Sequence, residues 1–149
     1  MRILPAFALC MALSSSAWAG AWGTGSFEND DALDWISECT GSQGKAALAP
    51  TLEAALSADV VDASEGATVV AAAEVVAAAR GKRSATLPRA LSAWLERQPR
   101  AQIASLAPLA HKALARVGQP GSSELAQLWS GQQAAKWKAQ MAELAARLR

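Results

Sequence analysis

The side chains that could carry chemistry in this sequence are few, and most sit near one end. Asp30-Asp31-Ala32-Leu33-Asp34 places three carboxylates in five residues, with Glu28 before them and Glu38 after. On a helix Asp30 and Asp34 share a face, so the pair could hold a hard divalent cation and support metal-assisted hydrolysis. A motif of that kind needs a second set of ligands opposite, and this chain offers none. Dipole complementation already accounts for the cluster, because acids in a first helical turn favour the positive end of the helix. His111 is the single histidine, and Cys39 is the one cysteine beyond residue 19. A Cys–His nucleophile would need the two together, and nothing in their spacing brings them together. Cys39 reads as a small buried residue on the first helix, and His111 as a structural one. There is no G-x-S-x-G, no H-E-x-x-H, no phosphate loop and no zinc spacing. The reading therefore assigns no catalytic residue, no metal ligand and no cofactor. Five tryptophans remain beyond residue 19: Trp22, Trp35, Trp94, Trp129 and Trp137. Helical registers place the last four in a core. Trp22 lies on a glycine-rich arm with no helix to bury it, so it either folds back over the protein or engages a partner.

The elements that must position these residues are helical. Residues 20–28 read as an irregular arm with Gly20, Gly23 and Gly25 around Trp22, ending at Phe27. A first helix opens at Asn29 or Asp30 and stops at Gly41, with Leu33, Ile36 and Trp35 inward. A second covers about 45–58, with Leu48, Leu52 and Leu56 as a stripe and Pro50 in its first turn or at a kink. Asp62 and Glu65 have capping-box spacing and open a third helix through Arg80, stopped by Gly81. Its residues 69–79 are Val, Ala and one Glu only, which predicts burial on most sides. Pro88 suits the first position of a fourth helix burying Leu91, Trp94 and Leu95. Leu106, Leu109, Ala113, Leu114 and Val117 form a stripe over 107–117, and the break at 118–121 follows. Ser122 or Ser123 caps a short helix with Leu125, Leu128 and Trp129. Ser130 and Gln133 form a second capping box, opening a last helix with Trp137, Met141, Leu144 and Leu148 inward.

Composition agrees. The chain has 149 residues, 52% hydrophobic, with 37 alanines, three isoleucines and no tyrosine. That is poor material for strands and good material for helices. The expected fold is all-α: a single compact bundle of six or seven short helices behind a Gly/Trp-rich arm. Collagen-like, disulfide-dense and multi-span membrane classes are excluded, and with a formal net charge of +1 a nucleic-acid partner is not expected. Charge is nonetheless polarised. Residues 20–79 hold ten acids and one base, whereas residues 80–149 hold three acids and twelve bases. Complementary packing of the two halves explains this most simply; an acidic or basic face that steers a partner is the functional alternative.

The opening of the chain predicts export. Arg2 is a short positive region, residues 3–13 are apolar, and Ala17-Trp18-Ala19 fits a signal-peptidase site before Gly20. The apolar run is too short to span a bilayer. The expected organisation is a signal peptide at 1–19 and a helical domain at 20–149, periplasmic or secreted, with no membrane span in the mature chain.

Residues 20–35, GAWGTGSFENDDALDW, resemble the opening of a bacterial family called domain of unknown function 4259. Its members typically show Met-Gly, a Trp-Gly-Thr-Gly segment, a Phe, an acidic Asn-Asp stretch and a Trp. Ala71-Ala72-Ala73-Glu74, Ser123-Glu124-Leu125, Leu128-Trp129, Trp137 and Leu148 are similar too. The resemblance implies no activity, cofactor or partner. It does frame one expectation, since the common form once its initial Met is removed and a chain cleaved before Gly20 both begin with glycine: a free amino terminus at Gly20, beside Glu28, Asp30 and Asp31.

These readings lead to an exported, non-catalytic module that binds another protein, for which small bacterial immunity proteins are an analogy only. The contact residues would be Trp22, Phe27, Glu28, Asp30, Asp31 and Asp34. The alternatives are a divalent-metal-dependent hydrolase using Asp30, Asp31 and Asp34, and an envelope protein that binds a small ligand between helices.

Overall fold

The computed structural model describes residues 20–149, so the expected signal peptide at 1–19 lies outside the described residues. The described chain forms α1 (Asp30–Thr40), a 3₁₀ turn (Gly44–Ala47), α2 (Ala49–Ser57), α3 (Ala63–Ala79), α4 (Arg89–Glu96), α5 (Arg100–Ala104), α6 (Ala107–Val117), α7 (Glu124–Leu128) and α8 (Ala134–Arg147). The fold is all-α, and among the described residues only two isolated bridges, Ala21 with Asn29 and Val61 with Ser123, have β character.

Helix α3 is the axis of the molecule. Every residue from Val69 to Ala79 is buried, including Glu74, and α3 touches all seven other helices. Its alanine and valine side chains are short on every side, which lets so many neighbours approach one helix. Gly66 marks the tightest approach: a Cβ there would stand 3.0 Å from Leu125 Cβ. Asp62 caps the start, its Oδ1 accepting from the Glu65 amide at 2.7 Å. Gly81, at φ +84, turns the chain away beyond the end.

Around this axis the prolines fall where a missing N–H costs least. Pro50 and Pro108 lie in the first turns of α2 and α6, and Pro99 is the N-cap of α5. Pro88 is the N-cap of α4 rather than its first residue. Helix α5, one turn between two prolines, is the element that sequence periodicity does not reveal. The expected Ser130–Gln133 capping box does not form. Ser130 Oγ instead donates to the Gln127 carbonyl at 2.6 Å, closing the end of α7, and α8 starts after Gln133 without a side-chain cap. Three expected core leucines face solvent: Leu33, Leu56 and Leu128. In their helices the smaller Ala32, Ala55 and Ala126 take inward positions, since a narrow apolar stripe leaves the register open by one or two residues.

The tryptophans fill the gaps that alanine leaves. Trp35, Trp94 and Trp137 are buried and Trp129 packs partly against the same core. Trp35 Nε1 donates to Thr51 Oγ1 at 3.3 Å, and Trp94 Nε1 to the Ser42 carbonyl at 2.9 Å.

The charge asymmetry has a structural component at the helix ends. Arg116 on α6 donates to the carbonyls of Ala55, Ala58 and Asp59 at the end of α2. Arg100 on α5 donates to the carbonyls of Ala79 and Ala78 at the end of α3, at 3.1 and 2.9 Å. Bases from the second half thus neutralise the negative helix ends of the first. No described helix is long and apolar enough to cross a membrane.

Candidate functional site: the arm and the acidic face of α1

The arm is an ordered hairpin-like loop held by its own backbone. Asp30 N–H donates to the Gly20 carbonyl at 2.7 Å, Trp22 N–H to Glu28 O at 3.1 Å, and Glu28 N–H to Gly25 O at 3.1 Å. The Glu28 carboxylate folds back over the loop and accepts from Gly25 N–H at 3.1 Å. It lies where a side chain at position 23 would begin, 1.7 Å from a Cβ built there, so glycine at 23 lets Glu28 close the loop. Three anchors fix this loop to the bundle. Phe27 is buried in the core. Asn29 is buried and caps α1 through Oδ1 to the Ala32 amide at 2.8 Å. Ser26 Oγ donates to Glu74 Oε1 at 2.8 Å.

The exposed surface of the arm and α1 offers an indole and several carboxylates. Trp22 is 61% exposed. Glu28, Asp30 and Asp34 are exposed and Asp31 half-buried. Leu33 is 40% exposed and shares the Asp30–Asp34 side of α1. Phe27 is the member of the expected contact set that the fold turns inward, where it anchors the arm and offers nothing to a partner. Gly20 lies against Asp30: Asp30 Oδ2 is 3.3 Å from a Cβ built on residue 20. Among the described residues no group of three His, Cys, Asp or Glu side chains converges as metal ligands do, and Asp30, Asp31 and Asp34 form no such group.

Behind the arm lies a polar centre that spans the molecule. Glu74, 3% exposed on α3, receives Arg147 Nη1 on Oε2 at 2.8 Å and Nη2 on Oε1 at 3.0 Å. Arg147 also donates from Nε to Glu143 at 2.7 Å. Burial opposes the Arg147 charge, but its bonds to Glu74 and Glu143 outweigh that and hold its pKa above the ordinary value. Ser26 therefore ties the arm to an ion pair between the central and last helices. In the sequence Glu74 stands out as the one acid of the Val-Ala run and as a residue similar to a family's, neither of which names its partner, and nothing marks Arg147. Their link spans 73 residues, and no local pattern encodes it.

The two nucleophile candidates are apart in role as well as in sequence. Cys39 is 1% exposed, and burial pushes its thiol up to about 12, far from a reactive thiolate. His111 lies half-buried on α6, with Nε2 accepting from Arg149 Nε at 3.4 Å.

An all-α bundle around one alanine-valine helix, sealed by a Trp-Gly-Thr-Gly arm, defines the class of protein. Residues 20–140 match the family model "Domain of unknown function (DUF4259)", and the chain belongs to that family. No curated protein matches it, and no solved structure matches it.

Proposed function

We propose that this protein is an exported, non-catalytic module that binds another protein through the outer side of the arm and the acidic face of α1. One observation carries the reading: a mostly exposed indole, Trp22, on a loop that is otherwise pinned by backbone bonds and buried anchors. A rigid, exposed aromatic side chain loses little conformational freedom on binding, and such residues dominate interface energies. Glu28, Asp30 and Asp34 around it would speed encounter with a basic surface and fix its orientation.

Export and cleavage between Ala19 and Gly20 belong to the same reading. Cleavage there would create an α-ammonium next to the Asp30 carboxylate, a charge-assisted contact that would fasten the arm. A first residue other than Gly20, read by mass spectrometry of the protein recovered from its native envelope, would remove that part.

The test is affinity capture with residues 20–149 as bait, followed by reconstitution with the purified partner. Trp22→Ala should weaken binding at least tenfold with an unchanged melting temperature. Asp30→Asn/Asp34→Asn should lower the association rate and flatten its salt dependence. Phe27→Ala should lose both stability, by about 3 kcal/mol, and partner. Full binding by the Trp22 variant would defeat the proposal.

A further inference from the structure

Two buried side-chain polar atoms among the described residues have no hydrogen-bond partner: Thr24 Oγ1 and Gln140 Oε1. Both line the same cleft, which runs between the inner side of the arm and helices α3, α7 and α8. A buried polar group without a partner costs on the order of 1–3 kcal/mol, and such groups in a folded protein mark a missing water or ligand. Thr24 is 7% exposed, so bulk solvent does not serve it directly.

The cleft is built for one kind of occupant. Trp129, Trp137 and Met141 make much of its wall. Among the described residues that line it none is ionisable, in a chain with 27 charged residues. A charged ligand would lose its hydration with no counter-charge in return, so the occupant is neutral. The volume of the cleft is about 20 Å³, enough for one water or one group of that size. The remainder of a larger molecule would lie in the open mouth, against Trp129 and Met141, both only partly buried. The hydroxyl of Thr24 can donate or accept, whereas Gln140 Oε1 only accepts. A hydroxyl or a primary amide meets both demands, since each can donate to Gln140 while exchanging a hydrogen bond with Thr24.

We propose that this cleft is a binding site for a small neutral molecule with an apolar body and a hydroxyl or amide head, the head seated between Thr24 and Gln140. Trp22 does not line this cleft, and the site stands independently of the protein-binding reading.

The test is a nuclear magnetic resonance titration of the protein with n-butanol and butyramide, and with butyrate and butylammonium as charged controls. The two neutral probes should give saturable shifts of the Trp129 and Trp137 indole signals at millimolar concentration, and the charged probes none. Thr24→Val and Gln140→Leu should each raise the half-saturation concentration at least fivefold while keeping the remaining spectrum of the folded protein. Thermal melting of each variant checks that loss of binding is not loss of fold. Water cross-peaks at Thr24 that persist unchanged under saturating butanol would overturn the proposal and leave a structural water in its place. Equal shifts from neutral and charged probes, or saturation unaffected in both variants, would also overturn it.

Discussion

At the scale of single residues, burial decides which groups are available for chemistry, and Cys39 shows this most directly. Its thiol sits inside the contact between α1 and the core, and desolvation raises its pKa from 9.0 to about 12. The native thiol should therefore resist a disulfide reagent at pH 8 and react fully once urea unfolds the chain. Prompt reaction of the folded protein would contradict the burial. The same shift has a pH signature. Well below pH 9 both folded and unfolded thiols are protonated and the group adds no pH dependence. Between about 9 and about 12 the unfolded state releases a proton that the folded state keeps, so stability falls as pH rises. The slope from one proton is at most about 1.4 kcal/mol per pH unit. Urea titrations of wild type and Cys39→Ala across this range should diverge, with wild type declining faster. Phe27 follows the same logic. A phenylalanine on a glycine-rich arm carries no periodic signal of direction, so its burial becomes visible only when Ser26 and Asn29 on either side are seen bonded into the bundle.

At the scale of elements, the legible parts were those whose signals are local. The Val-Ala run of α3, broken by one Glu, predicts a helix buried on most sides, and α6 is legible as the apolar stripe over 107–117 that ends at the break of 118–121, with Pro108 obscuring its start. The cap of α3 is legible at Asp62, and those of α1 and α7 to within a residue or two of Asn29 and Ser123, because each of these side chains need only reach three residues forward. Ser130 has the same chemistry and turns backward, because the end of α7 lies two residues away and its carbonyls compete for the hydroxyl. The capping of helix C-termini by arginine could not be read, since Arg116 lies 58 residues beyond Ala58 in the chain. That contact gives a measurable element-scale outcome. Arg116→Ala removes a cation and its bonds to three carbonyls at the end of α2, and should cost about 2 kcal/mol in urea unfolding. Arg116→Lys should recover part of this, because the ammonium keeps the charge but lacks the planar fork. A loss within about 0.3 kcal/mol for Arg116→Ala would mean that water serves those carbonyls equally well.

At the scale of the whole molecule, the Glu74–Arg147 pair joins the parts that sequence distance separates: the arm through Ser26, the axis through α3, and the last helix through α8. A buried ion pair adds little net stability compared with apolar residues of similar size, but a broken one leaves a charge without its partner. The two partners are not equally protected against that. Arg147 retains Glu143 if Glu74 is removed, and its side chain keeps 15% of its exposure. Glu74, with 4% side-chain exposure, would retain only the Ser26 hydroxyl if Arg147 were removed. Arg147→Met should therefore be the costlier change, about 3–5 kcal/mol, and Glu74→Leu the milder, about 2 kcal/mol. The double variant should return to within about 1 kcal/mol of wild type, because no unpaired charge then remains. Its arm should nonetheless be looser, since Ser26 has lost its acceptor, and hydrogen exchange at the Trp22 amide, which bonds to Glu28, should quicken while exchange within α3 stays slow. Strictly additive costs in the double variant would show that the pair is not coupled. Trp22 exchange as slow as in wild type would show that Phe27 and Asn29 hold the arm without Ser26, and that the indole's presentation does not depend on the buried ion pair beneath it.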